Sequence, residues 1–234
     1  MAVNIDTVYQ KVLALANKEQ RGYITPHEFN LLANKAQLDL LNGYFHAAKM
    51  AHVKQTKNQL GVAIDELDMI EEKLHPFKTS TNVTLDTTDS SLTLPSDLWS
   101  LDVIWDKGGI ELTEINKKDA VLTQNSILLQ ATFKRPVYFR SRSNAVTILP
   151  TSANAVDYIV NYYYKPRNPE WGYVVVNEKA LYNPSASTDF TLHLSEEETV
   201  VTRILELAGL SIKDEEIAQA AMVDKQATKQ NQNS

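Results

Sequence analysis

Residues 22–45 read GYITPHEFNLLANKAQLDLLNGYF, and this stretch predicts a long amphipathic helix with a complete start signal. Thr25 is a good N-cap residue, Pro26 suits the first helical position, and Glu28 lies where a capping box needs its acceptor. Apolar residues then recur every three or four positions and form one stripe: Phe29, Leu32, Ala33, Ala36, Leu40, Tyr44 and Ala47. Because such a stripe needs a partner surface, the stretch predicts a helix bundle.

Further helices are predicted on both sides of this stretch. Residues 4–20 and 60–74 keep helical apolar spacing, and the second of these segments ends at His75 because a residue before proline is pushed out of helical geometry. Ser195 is followed by three glutamates, which predicts another capped start with Glu198 in a capping box. A weaker helix is predicted over residues 213–227, and the remaining tail is polar.

The middle of the chain changes from helical to strand periodicity. Short β-prone runs begin near residue 82, and Gly108-Gly109 predicts a hairpin turn after a strand that ends at Asp106. The longest alternation covers residues 156–165, and we expect both of its faces to be partly covered. One face carries Tyr158, Val160, Tyr162 and Tyr164, and the other carries Ile159, Asn161 and Tyr163. A short helix is predicted over residues 116–124, with a further strand over residues 171–176.

The order helices, strands, helices predicts an α+β fold. We expect a helical bundle made of residues 1–78 and 190–228, with an antiparallel β-rich, sandwich-like domain inserted over residues 79–189. Residues 229–234 are expected to be a polar tail, because they contain nothing to bury.

Composition excludes several classes of protein. The 29 acidic residues exceed the 23 basic ones, and the net charge of −6 disfavours a general nucleic-acid binder, which needs a basic surface to neutralise phosphates. The chain has no cysteine, so disulfides and thiolate chemistry are excluded. The first residues lack the features of a signal peptide, and no apolar run reaches the roughly 20 residues of a membrane span. We therefore expect a soluble protein that is used without export.

Catalytic motifs are missing as well. The five histidines form no HExxH pattern, and the sequence has no GxSxG elbow, Walker loop or GxGxxG turn. Adjacent carboxylates such as Glu71-Glu72 point in different directions on a helix, which is typical of a solvated face. We therefore predict no enzyme activity, no cofactor and no metal site. A hydrolase with carboxylates brought together by the fold stays open, because glycosidases need no linear motif.

Two segments resemble a known family. Residues 16–45, ANKEQRGYITPHEFNLLANKAQLDLLNGYF, and residues 187–214, STDFTLHLSEEETVVTRILELAGLSIKD, are similar to segments shared by virion structural proteins of tailed phages, especially crAss-like phages. The order helix, β insert, helix is also similar to the tail-tube adaptor of short-tailed phages. That second likeness concerns architecture alone.

The resemblance implies a structural ring protein of the head-to-tail connector, located in the portal-tail region of the virion and assembled in the host cytoplasm. Its expected partners are copies of itself in a ring of twelve, the portal, and neighbouring tail or ring proteins. Genomic DNA would pass through the channel during ejection without sequence-specific binding. The acidic balance fits a wall along which DNA slides, and no membrane partner is expected.

A ring of identical subunits needs contacts in which one surface meets a different surface of the neighbour. We predict these contacts on the polar side of the long helix, the turn before it and the aromatic strands: Tyr23, Asn30, Asn34, Gln37, Tyr162, Trp171 and Tyr173. The alternative function is a carbohydrate-binding or host-attachment module, in which the tyrosine-rich sheet stacks on sugar rings.

Overall fold

The computed structural model describes residues 2–18, 24–56, 60–126, 128–151 and 156–211, and it confirms an α+β fold. The helices are α1 (Ile5–Lys18), α2 (Pro26–Thr56), α3 (Leu60–Leu74), α4 (Lys117–Asn125) and α5 (Glu197–Ser211). The strands are β1 (Lys78–Thr84), β2 (Ser91–Thr93), β3 (Leu98–Asp106), β4 (Thr113–Glu114), β5 (Val137–Arg142), β6 (Ala145–Leu149), β7 (Asp157–Tyr164), β8 (Tyr173–Val176) and β9 (Lys179–Tyr182).

The chain forms two compact units, which we call the helical unit (residues 1–76 and 166–234) and the β unit (residues 77–165). The second boundary differs from the predicted one, because residues 166–189 belong with the helices and not with the inserted strands. Side chains of α2 bind the backbone of this segment, as described below. The helix predicted over residues 213–227 and the tail 229–234 lie outside the described residues.

In the helical unit, α2 is the central element and packs against α3 and α5. Its predicted start is confirmed: the Thr25 N–H donates to Glu28 Oε2 at 3.0 Å, and the Glu28 N–H donates to Thr25 Oγ1 at 3.3 Å. These reciprocal bonds satisfy backbone donors that the first turn would otherwise leave open. The buried stripe includes Phe29, Ala33, Ala36, Leu41 and Tyr44, each at most 9% exposed.

The start of α5 differs from the predicted capping box. His193 is the capping residue of a short 3₁₀ turn over Leu194–Glu196, and its Nδ1 accepts from the Ser195 N–H at 3.3 Å. The α-helix begins only at Glu197. Glu198 does not reach back to Ser195 but forms an ion pair with Lys11 of α1. The difference lies in the 3₁₀ turn, because Ser195 lies inside that turn and Glu198 is only the second residue of the α-helix.

The β unit contains two sheets over one core. Strands β1, β7 and β3 form an antiparallel sheet in the order β1-β7-β3, and the second sheet has the order β2-β6-β5-β4, with β4 parallel to β5. Both sheets supply side chains to one buried cluster: Leu85, Leu92, Leu94, Ile104, Leu112, Tyr138, Val146, Ile148, Tyr158, Val160 and Tyr162. Of the residues predicted to alternate over 156–165, Tyr158, Val160 and Tyr162 lie in this core.

Strand β3 contains a bulge that the sequence does not reveal. The register shifts between Leu101 and Val103, and Leu101 and Ile104 both contact the core although they are three residues apart. An extra residue in one strand reverses the alternation of faces, which accounts for this spacing. The predicted Gly108-Gly109 turn is present, with Gly109 at φ +79°, but the returning segment soon leaves β3 and pairs with β5 as β4.

Candidate functional site

The polar side of α2 is directed at the helical unit itself. Gln37 is fully buried, because it follows Ala33 by four residues and precedes Leu41 by four and therefore shares their face. Its Nε2 donates to the Arg167 carbonyl at 2.8 Å, and its Oε1 accepts from the Thr191 N–H at 2.8 Å. The predicted placement of Gln37 on an outer, subunit-contacting surface was therefore wrong.

Asn30 repeats this arrangement two turns earlier. Its Oδ1 accepts from the Trp171 N–H at 2.8 Å, and its Nδ2 donates to the Trp171 carbonyl at 3.3 Å. Asn34 lies between Asn30 and Gln37 on the helix, and its Oδ1 is buried without a hydrogen-bond partner. We call Asn30, Asn34 and Gln37 the amide row; its two ends hold the backbone of residues 167–191 against α2.

Trp171 is a core residue, although the sequence suggested a contact or sugar-binding surface. Its side chain is 3% exposed, and its Nε1 donates to Asp6 Oδ1 at 2.9 Å. Its ring centroid lies 4.3 Å from that of Tyr9, 5.9 Å from that of Tyr173 and 5.6 Å from that of Tyr182. This aromatic cluster fixes the base of the hairpin formed by β8 and β9.

The β8–β9 hairpin carries the most concentrated apolar surface of the described helical unit. All four β8 residues are exposed by 41% to 63%, and Leu181 of β9 is exposed by 53%. Paired residues of an antiparallel ribbon share a face, so Val174 and Leu181 lie on one face while Val175 lies on the other. We call Tyr173, Val174, Val175, Val176 and Leu181 the hairpin surface. The Tyr173 ring packs on Trp171, and the three valines and Leu181 are each at least 46% exposed among the described residues.

A second apolar surface lies on the β unit. It consists of apolar side chains from α4 and from the loop that follows it, and each is exposed by 58% to 87%. We call this set the α4 patch: Val121, Leu122, Leu128, Leu129 and Phe133. The buried side of α4 is Ala120. The sequence predicted this helix over residues 116–124, but its exposed leucines were not recognised as a surface because apolar residues near a helix are usually read as core.

Buried charges of the helical unit serve its packing. The Lys73 Nζ lies 2.9 Å from Glu196, which is 4% exposed, and Arg203 joins Asp39 of α2 to Glu206 of α5. Burial, and after it the Glu196 carboxylate, raises the pKa of Tyr44 above its usual range. These groups tie α2, α3 and the α5 region together.

The described residues form one cleft in the β unit and another in the helical unit. One, of about 340 Å³, is lined by residues of α4 and of strands β5 and β6. The other, of about 500 Å³, lies near His75 and His193, whose Nδ1 is already engaged by Ser195. The described residues contain no group of three or more histidine, aspartate or glutamate side chains placed to hold a metal ion.

The predicted contact residues therefore separate into four groups. Asn30 and Asn34 are half-buried and belong to the amide row. Gln37, Trp171 and Tyr162 are buried, and the Tyr162 hydroxyl donates to Asp97 Oδ1 at 3.1 Å inside the β unit. Tyr173 is exposed by 41% and belongs to the hairpin surface. Tyr23 lies outside the described residues. Sequence reasoning missed the rest of the hairpin surface, since three successive valines are typical of a buried strand.

Comparisons with known proteins assign neither a family nor a function to this chain. No protein-family model matches the chain, and no curated protein matches it either. Within the part of the chain that the structure describes, no helix combines the length and apolar character needed to cross a bilayer.

Proposed function

We propose that this chain is a structural ring subunit of the portal-tail connector of a tailed phage, forming part of the channel through which genomic DNA leaves the head. The observation that carries the proposal is the resemblance of residues 16–45 and 187–214 to segments of phage virion proteins. The role is architectural and not catalytic. Its partners are further copies in a ring of twelve, the portal, and adjacent tail proteins.

The spatial relation of the two resembling segments supports the proposal. They are far apart in the chain, yet Gln37 of the first accepts a hydrogen bond from the Thr191 N–H of the second, and Arg203 of the second forms an ion pair with Asp39 of the first. Phe190 of the second segment is 1% exposed in the same unit. The two segments thus form one packed module, as expected if they are inherited together.

The exposed apolar surfaces support it as well. A monomer that works alone seldom exposes several clusters of large apolar side chains, and such surfaces commonly mark protein contacts. The hairpin surface and the α4 patch are different in shape and sequence, and they lie on different units of the chain. Two unlike surfaces on one subunit suit the heterologous contacts from which rings are built.

Native mass spectrometry of the purified chain, alone and with its portal, tests the proposal. We expect a closed multimer, with twelve copies when the portal is present, and we expect the chain in the protein inventory of purified virions. A chain that is absent from virions, or that is found there in a single copy, would contradict the proposal. An unrelated cysteine-free protein of similar size serves as the control for nonspecific multimers.

The alternative, a carbohydrate-binding module, finds no specific support. Tyr162 and Trp171 are buried, so neither ring is available to stack on a sugar. Lys78 Nζ lies 5.8 Å from the ring centroid of Tyr163, where it covers one face of the tyrosine on the outer side of β7. Substitution of Trp171 or Tyr162 would therefore report on folding, and glycan binding would have to be tested with the exposed Trp99→Ala variant.

A further inference from the structure

The two apolar surfaces have complementary properties. We propose that the hairpin surface of one copy docks on the α4 patch of a second copy, so that each subunit uses its hairpin toward one neighbour and its α4 patch toward the other. This contact rests on the proposed ring assembly and specifies which surfaces meet. It uses residues whose side chains are exposed in the described structure.

The size of the two surfaces favours their pairing. From the exposed fractions, the hairpin surface offers roughly 400 Å² and the α4 patch roughly 600 Å² of side-chain area. Because Val174 and Leu181 lie on the opposite face from Val175, only about half of the hairpin area can meet one patch. Pairing one hairpin face with the α4 patch therefore buries roughly 800 Å², and pairing two hairpin faces buries roughly 400 Å². The unlike pair buries more, and a polar rim brings it to the roughly 1,000 Å² of a specific interface.

Charge also favours the unlike pair. Residues 117–135 contain four basic residues and one acidic residue, while residues 170–182 contain two acidic residues and one basic residue. An α4 patch placed against its own copy would bring like charges together, which disfavours association. The hairpin turn carries Glu178 two residues beyond β8 and next to Lys179, and Lys134 and Arg135 directly follow Phe133 of the patch. The hairpin segment therefore has a net negative charge and the patch segment a net positive one.

The unpaired edge of β8 indicates that the hairpin packs against a partner surface. The β8–β9 sheet has two strands, so each strand leaves one edge unpaired among the described residues. Natural edges are protected by charges, proline or bulges, and β8 reads YVVV with none of these. A two-stranded ribbon is also marginal in water unless it packs on something. A neighbouring copy supplies that packing, and the same interface covers the neighbour's α4 patch.

Cross-linking tests the contact directly, because the chain contains no native cysteine. One preparation carries Val175→Cys and the other Leu128→Cys; both positions are exposed, by 63% and 87%, so the folds should be unaffected and circular dichroism checks this. The preparations are mixed and mildly oxidised. We expect disulfide-linked dimers of Val175→Cys with Leu128→Cys, at least about tenfold above the background set by random collision, because docking raises the effective concentration.

The matched control pairs Leu31→Cys with Leu128→Cys, since Leu31 is 61% exposed on the helical unit and outside the hairpin surface. A product dominated by Val175 linked to Val175 overturns the proposal in favour of like pairing, and a control yield equal to the test yield also overturns it. A ring in native mass spectra without the mixed cross-link refutes this contact and leaves the connector function standing. Cross-linked copies of a chain that is absent from virions support the contact and refute the connector function.

Discussion

At the scale of single residues, Gln37 fixes the backbone of the segment from Arg167 to Thr191 against α2. Burying an amide costs free energy unless its donor and acceptor are both satisfied. Gln37 satisfies them with two backbone groups, the carbonyl of Arg167 and the N–H of Thr191, which flank a 23-residue segment. One side chain thereby holds both ends of that segment, and its energetic role is internal and not at a subunit contact.

Replacing Gln37 with alanine should destabilise folding by about 2–4 kcal/mol, because two part-buried backbone groups lose their partner and a cavity is left. Urea unfolding followed by circular dichroism measures the change. Asn42→Ala, on the exposed side of the same helix, is the control and should change the unfolding free energy by less than about 0.5 kcal/mol. Equal effects of the two substitutions would show that the hydrogen bonds of the Gln37 amide do not contribute to the free energy of unfolding.

At the scale of elements, helix starts and hairpin turns determine where this chain changes direction. The α2 start uses the reciprocal bonds of Thr25 and Glu28, and the Thr25 backbone and hydroxyl hold the pKa of Glu28 below its usual value of 4.5. The β8–β9 turn is made by Asn177 and Glu178, both with positive φ, at 49° and 63°. The residues at the start of α2 favour the capping bonds, whereas the β8–β9 turn strains the backbone of Glu178.

The Glu28 cap should give a pH-dependent contribution to stability. A carboxylate whose pKa is lowered in the folded state stabilises it above the unfolded pKa, and this contribution is lost as pH falls through the folded value. Glu28→Gln should therefore cost stability at pH 7, and the difference from the native chain should shrink below about pH 4.5. Urea midpoints measured from pH 7 to pH 3 test this, and a difference that is constant across that range would contradict the assignment.

Glu178→Gly should stabilise the hairpin by about 0.5–1 kcal/mol. A two-residue turn with two positive φ angles prefers Asn-Gly, because glycine adopts the left-handed region without a steric cost. Thermal unfolding and amide exchange of Val176 and Lys179 measure the gain. Glu178→Gln removes the charge and keeps the strain, so it separates the two effects: a gain of equal size with glutamine would attribute the stabilisation to charge.

At the scale of the whole molecule, the β unit is inserted between two parts of the helical unit. Its entering strand β1 and its leaving strand β7 are paired, with Lys78 opposite Tyr163. Directly opposed residues in an antiparallel pair lie about 5 Å apart, so the two ends of the β unit meet. The unit also has its own buried core. These are the properties of a domain that folds without the rest of the chain.

Residues 77–165 should therefore fold when expressed alone. We expect a cooperative thermal transition and a dispersed amide spectrum, because the core cluster and both sheets are contained within these residues. The control is the same fragment with Val160→Asp, which places a charge at a fully buried core position and should not fold. An unfolded spectrum from the unmodified fragment would show that the sheets depend on the helical unit.

The sequence predicted structural features that depend on residues close together in the chain. It failed for the burial of residues whose contacts are with distant segments. The Thr25 cap and the alternation of side chains along β7 were predictable, because each follows from residues a few positions apart. The burial of Gln37 was not, since its partner at Arg167 is 130 residues away. The Ser195 capping box was predicted wrongly, because His193 caps a 3₁₀ turn that contains Ser195 and the α-helix begins only at Glu197. Nor could the exposure of Val175 be read from three successive valines.

The pairing of Lys78 with Tyr163 also has a mechanical meaning. A pulling force that reaches the β unit through its two chain connections acts on directly opposed residues at one end of a strand pair. The load then falls on one pair of hydrogen bonds at a time, perpendicular to the strands, so β1 and β7 peel apart from that end instead of sliding past each other. The seven paired positions from Lys78 to Thr84 would open in sequence. Under tension, the inserted sheet is the part of the chain that yields gradually.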